Sequence, residues 1–116
     1  MKVAVIGSRH AAPSAAKAIL QALPAETSEI ISGGASGIDR MAEQVAEALS
    51  IPVRVFLPQY DRYGRAAPLR RNGEIVACAD LVLAFWDGHS VGTSHTVAEC
   101  IRTGKPVRVI LIESTK

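Results

Sequence analysis

Aromatic residues are scarce. One Trp, two Tyr and two Phe make up 4% of 116 residues, while hydrophobic types make up 48%. Stacked rings cannot fill such a core. Val, Ile, Leu and Ala must do so, as they do in a parallel sheet with helices on both faces. Cysteine is nearly missing: only Cys78 and Cys100 occur. They lack metal-ligand spacing and are too few for a disulfide framework, so buried, reduced thiols are expected. An excess of one charge is also lacking. Thirteen Lys and Arg against eleven Asp and Glu leave +2, too little to imply a nucleic-acid coat. The longest apolar run falls far short of a membrane span. Residues 1–7 read as a strand and not as a basic start followed by an apolar leader. These absences predict a cytoplasmic protein with no membrane partner. The length suits one domain over residues 1–116, without repeat or linker.

What is present is a regular alternation of strand and helix. Val3-Ala4-Val5-Ile6, ending at Gly7, reads as a strand buried on both faces. Ala15 to Leu23 has helical spacing, opened by Pro13-Ser14 and closed by Pro24. Glu29–Ser32 is a second strand. Ile38, Met41, Ala42, Val45, Ala46 and Leu49 recur at a helix period and predict a helix over 37–49. Ser36 and Asp39 before it have capping-box spacing. Val53–Leu57 is the third strand, and 58–67 reads as a loop without periodicity, a candidate lid. Pro68 opens a helix to about Ala77 that contains Gly73. Residues 80–86 form the fourth strand, about Ser94 to Arg102 the fourth helix with Gly104 as its cap, and Val107–Leu111 the fifth strand. The last residues are a polar tail. This order predicts an α/β, Rossmann-like three-layer α/β/α sandwich with a five-stranded parallel sheet in the order 3-2-1-4-5.

Three strands end in small residues. Gly7-Ser8-Arg9 follows the first, Gly33-Gly34-Ala35-Ser36-Gly37 the second, and Asp87-Gly88-His89-Ser90-Val91-Gly92-Thr93 the fourth. Glycines let backbone N–H groups approach an anion, and the helix that follows adds a favourable field. In the predicted order these loops meet at one sheet edge. Asp39 is either a ribose acceptor or a first-turn carboxylate favoured by the helix dipole, and the dipole role is preferred. Arg62, Arg65, Arg70 and Arg71 crowd the lid and the helix after it. Arg71, with Asn72 beside it in the first helical turn, is placed to reach back into the cleft and pair with phosphate. Tyr60 or Tyr63 could cover a base. His95 and Glu99 share a helical face, but no third ligand has fixed spacing, so no metal or cofactor is expected. No catalytic set emerges from the spacing.

Together these motifs resemble the SLOG superfamily. The block Ser32-Gly33-Gly34-Ala35-Ser36-Gly37-Ile38-Asp39 is similar to that of the core of DNA-processing protein A. Tyr63-Gly64, Arg71-Asn72, Asp80, Asp87-Gly88 and Gly92-Thr93 are closer to the small stand-alone YspA/YpsA-like members. The resemblance implies a nucleotide or phosphosugar ligand held by Gly7, Ser8, Arg9, Gly33, Gly34, Ser36, Gly37, Asp39, Arg71, Asn72, Asp87, Gly88, Ser90, Gly92 and Thr93. The superfamily also contains the Lonely Guy phosphoribohydrolases, formerly called lysine decarboxylases. Their catalytic arginine corresponds to Arg71, nine residues before Asp80, but their catalytic glutamate corresponds to Thr96. Hydrolysis of a nucleoside monophosphate would need another acid, with Arg71 the best catalytic candidate. Single-stranded DNA binding, as in DNA-processing protein A, is ranked behind a small nucleotide because the net charge is low. A homodimer is expected by analogy with the fold class.

Overall fold

The computed structural model describes residues 1–113. The chain runs β1 (Lys2–Gly7), α1 (Ala15–Ala22), β2 (Glu29–Ser32), α2 (Ile38–Ala48), β3 (Val53–Val55), α3 (Tyr60–Tyr63), a 3-10 turn (Gly64–Ala66), α4 (Ala67–Cys78), β4 (Leu81–Trp86), α5 (Val91–Thr103) and β5 (Val107–Leu111). All neighbouring strands pair in parallel. Their order is β3-β2-β1-β4-β5, the predicted α/β Rossmann-like arrangement.

Side chains alternate across the sheet, as a pleated strand requires. Val3 and Val5 of β1, with Leu83 and Phe85 of β4, pack with Ile19 of α1 and Ile38 and Ala42 of α2. Ala4 and Ile6, with Val82 and Ala84, pack on the opposite side with Ile75 and Val76 of α4 and Cys100 of α5. The central strands are therefore apolar at every core position, while β3 at the edge is exposed throughout. Each fully buried Ile, Leu or Phe contributes about 1.5–3 kcal/mol. Phe85 supplies the one fully buried ring among the described residues. Cys100 is buried as expected, but Cys78 is only half-buried.

The chain departs from the sequence-based expectations at helix starts. Residues 58–67 are not a plain loop, because α3 and the 3-10 turn occupy 60–66. Four helical residues are too few to show a period. β3 stops at Val55, short of Leu57. α5 begins at Val91, three residues early, because Ser90 caps it by accepting from Thr93 N–H at 3.4 Å. The capping box at 36–39 does not form. Gly37 is the residue at the start of α2, and the Asp39 Oδ2 accepts instead from Ala35 N–H at 3.2 Å. Arg71 and Asn72 lie in the second turn of α4, since that helix starts at Ala67. The C-cap at Gly104 is left-handed with φ 75°, as expected. The predicted polar tail lies partly outside the described residues.

Gly37 holds φ 75° and ψ −126°, a region essentially confined to glycine. A Cβ there would run into the carbonyl oxygens of Ser8 and Arg9. Gly37→Ala is expected to cost about 2 kcal/mol or more in urea unfolding. Gly73→Ala, inside α4 with open space around the added carbon, is expected to stabilise by about 0.5–1 kcal/mol. Equal midpoints for the two variants would contradict this assignment.

Candidate nucleotide-binding cleft

The chain moves outward from β1 to β3, then crosses back to place β4 beside β1. The loops after β1 and β4 therefore part toward opposite faces, and a crevice opens between them. A cavity of about 350 Å³ lies there, within the usual size of small-ligand sites. It is lined by Gly7, Arg9, Gly33, Asp39, Arg71, Asn72, Ser90, Gly92 and Thr93 of the predicted set. Loops and helix starts from both halves of the sheet thus contribute to one site. Ile6, Ala35, Pro68, Leu69 and Ile75 form its apolar part, and His10 and Thr96 complete it. Nothing in a periodicity marks those apolar residues as lining.

Other predicted residues hold the loops rather than face the cavity. Ser8 is buried, and its three bonds tie the β1 loop to β4, to the start of α2 and to the loop after β4. Its N–H donates to Phe85 O at 3.1 Å, its carbonyl accepts from Ile38 N–H at 3.1 Å, and its Oγ accepts from Asp87 N–H at 3.1 Å. Asp87 accepts from the backbone N–H groups of His89 at 2.8 Å and Ser90 at 2.9 Å. These bonds hold its carboxyl below the usual range. Gly34 packs toward Val55 and Leu57, Gly37 sits against the β1 loop, and Gly88 faces open space. Ser36 is not among the lining residues. Trp86 Nε1 donates to Ser90 O at 2.9 Å, which ties the end of β4 to the start of α5.

The cavity holds a close arrangement of opposite charges. Arg71 Nη1 donates to Gly33 O at 2.6 Å, across 38 residues. Its Nε donates to Asn72 Oδ1 at 3.0 Å, and Asn72 Nδ2 lies 3.4 Å from His95 Nδ1. Asp39 is 5% exposed. Its Oδ1 is buried with no hydrogen-bond partner among the described residues. Burial raises its pKa to about 6, against the opposing pull of the Ala35 N–H and of Arg71. Nearby Glu43 adds to the rise, and the Gly7 backbone pulls weakly the other way. Glu43 itself accepts from the Ser32 hydroxyl at 2.8 Å. Ser90, Gly92 and Thr93 bring the amino end of the 13-residue α5 to the mouth, where its dipole favours an anion. Arg9 stands exposed on the rim.

Tyr60 and Tyr63 are not among the lining residues of this cavity. Tyr63 lines a separate hollow with Arg70, His95 and Glu99. The guanidinium carbons of Arg62 and Arg70 lie 5.1 and 4.8 Å from its ring centroid. Glu99 pairs with Arg102 at 2.6 Å, and no group of three metal-binding side chains occurs among the described residues.

The family model of DNA recombination-mediator protein A matches residues 1–60, which carry the first two glycine loops and Asp39. The chain belongs to the DNA recombination-mediator protein A family. A curated relative of similar sequence is the Gene 61 protein of Mycobacterium phage D29, 36% identical in an 84-residue alignment that covers 67% of this chain and 67% of that protein. Among solved structures, DNA processing protein A from Streptococcus pneumoniae matches with a TM-score of 0.77 and 23% identity over 93% of this chain. The Helicobacter pylori protein, described for its single-stranded DNA binding mode, matches with a TM-score of 0.75 and 21% identity over 94%. The chain spans 49% and 64% of those two proteins. The family assignment agrees with the SLOG resemblance of the loop motifs, and the solved structures share the fold. No helix among the described residues is long and apolar enough to cross a membrane.

The folded protein holds the Asp39 proton more tightly than the unfolded chain does, since about 6 exceeds the ordinary 3.8. Stability attributable to this residue is therefore greatest in acid. It falls as pH rises from about 4 to 6 and is flat above that. Asp39→Asn is expected to abolish this component. The variant should match wild type near pH 4 and exceed it by up to about 2–3 kcal/mol above pH 7. Urea titrations at several pH values measure the gap, and a gap independent of pH would contradict the burial assignment.

Proposed function

We propose that this cleft binds one nucleotide unit of single-stranded DNA, in the cytoplasm. The observation that carries the reading is the single cavity joining Arg9, Arg71, Asp39 and the amino end of α5. Phosphate is placed on Arg9, Arg71 and the first turn of α5, where guanidinium groups and backbone N–H groups converge. The apolar wall of Pro68, Leu69 and Ile75 accepts the sugar or the base. Thr96 lines the cavity and donates to Gly92 O at 3.1 Å. A threonine is no general acid near neutral pH, so binding rather than hydrolysis is the proposed activity.

Family membership raises DNA above a free nucleotide. So does the distribution of charge. Arg9, Arg62, Arg65, Arg70 and Arg71 all lie in the β1 loop or in the short helical turns and first two turns of α4 that follow β3. Net charge averages over the whole surface and conceals this cluster. The guanidinium groups of Arg62 and Arg70, both within about 5 Å of the Tyr63 ring centroid, add positive charge on the same side of the molecule.

Fluorescence anisotropy with a labelled oligothymidylate is expected to show salt-sensitive binding. Arg9→Ala and Arg71→Ala should each weaken it by roughly tenfold and flatten the salt dependence. Gly92→Val should weaken it as well, by crowding the amino end of α5, whereas Lys17→Ala on α1 should leave it unchanged. No binding at low salt, or equal affinity in all four variants, would overturn the proposal.

A further inference from the structure

Asp39 carries an acceptor that the fold leaves unused. Its Oδ1 is buried, belongs to a residue that lines the cavity, and no donor among the described residues reaches it at hydrogen-bonding geometry, the Gly7 backbone exerting only a weak pull on the carboxyl. The other oxygen is served by Ala35 N–H. Leaving a buried carboxylate oxygen without a donor is costly. A ligand that supplies the missing proton would remove that cost. Phosphate cannot supply it, because an ionised phosphate accepts and repels. The donor must come from the sugar or the base.

Geometry chooses between these two. A Cβ on Gly33 would stand 2.7 Å from Asp39 Oδ2 and 3.0 Å from Arg71 Nη1. Only glycine lets the acid and the guanidinium approach the same backbone position, so the two groups are close neighbours. A phosphate drawn to Arg71 and a donor drawn to Asp39 must then be close neighbours within one ligand. In a nucleotide the sugar hydroxyls lie a few bonds from phosphate, whereas the N–H groups of the base lie across the ring system.

We infer that Asp39 accepts a hydrogen bond from a sugar hydroxyl, so that the cleft selects a nucleotide whose sugar bears a free hydroxyl beside its phosphate. This rests on the nucleotide reading of the cleft. An interior deoxynucleotide has no such group, because its 3′ and 5′ oxygens are esterified. Two sources do have it: the 3′ end of a DNA strand and a free ribonucleotide. Asp39 is in this account a specificity-determining residue, and the arginines supply the attraction for phosphate.

The test uses the full chain and two matched pairs of probes. One pair is a 5′-phosphorylated oligothymidylate ending in a 3′-hydroxyl and the same strand ending in a 3′-deoxy sugar. The other is AMP and its 2′,3′-dideoxy counterpart. Loss of a hydrogen bond to a charged acceptor is expected to weaken binding about tenfold or more in the pair that represents the natural ligand. In Asp39→Ala that ratio should fall to about one. Should this variant not fold, the ratios on the wild type still decide. Equal affinity within both pairs would overturn the inference while the cleft still binds nucleotides. Failure of all four probes to bind would instead overturn the nucleotide reading itself, and this inference with it.

Discussion

A carboxylate is held out of water at the point where the sheet changes direction. Asp39 sits at the start of α2 with one oxygen on the Ala35 N–H and the other unsatisfied. Burial pushes its pKa up to about 6, and the Ala35 N–H and the guanidinium of Arg71 limit that rise. Arg71 is itself fixed by the carbonyl of Gly33. The β2 loop, the start of α2 and the second turn of α4 are therefore one electrostatic unit. A chain selected only for stability would place an apolar residue at position 39. Retaining a costly acid in a cavity fits a role toward a ligand.

The rest of the fold keeps this unit in register. Apolar residues on both faces of β1 and β4 fix the centre of the sheet, and that fixes where the strands end. Ser8 then ties the β1 loop to β4 and to α2 through three bonds. Asp87 and Trp86 bring α5 down onto the same edge. Backbone precision of this kind depends on small residues. Gly33 lets the acid and the arginine approach one backbone position, and Gly37 lets α2 start against two carbonyls.

The fold was legible because its signals are local and redundant. Unbroken apolar runs at 3–6 and 81–86 suit central strands, and 38–49 has a strong helical period. Strand order followed from alternation and handedness. Much of the cleft was legible as well, since loop glycines with Arg9 and Arg71 mark a sheet edge built for anions. What was not legible depends on three-dimensional contact. Asp39 has the same spacing whether it caps a helix or faces a cavity, and its burial is what distinguishes the two. Ser8 and Asp87 carry ligand-like chemistry yet hold loops. Tyr60 and Tyr63 follow β3 in sequence, but α3 and the 3-10 turn carry them away from the crevice. The early start of α5 was hidden because Val91-Gly92-Thr93 has poor intrinsic helix propensity, which the Ser90 cap offsets.

The central claim is that the loops after three parallel strands and the amino-terminal parts of α2, α4 and α5 form a single nucleotide-accepting cleft. Amide chemical shifts followed by NMR during titration with a short oligothymidylate test it most directly. The account predicts that the largest changes fall on Gly7, Arg9, Gly33, Ala35, Gly92 and Thr93, with α1 and β5 nearly silent. Changes centred on α1, on β5 or on the opposite edge of the sheet would contradict it.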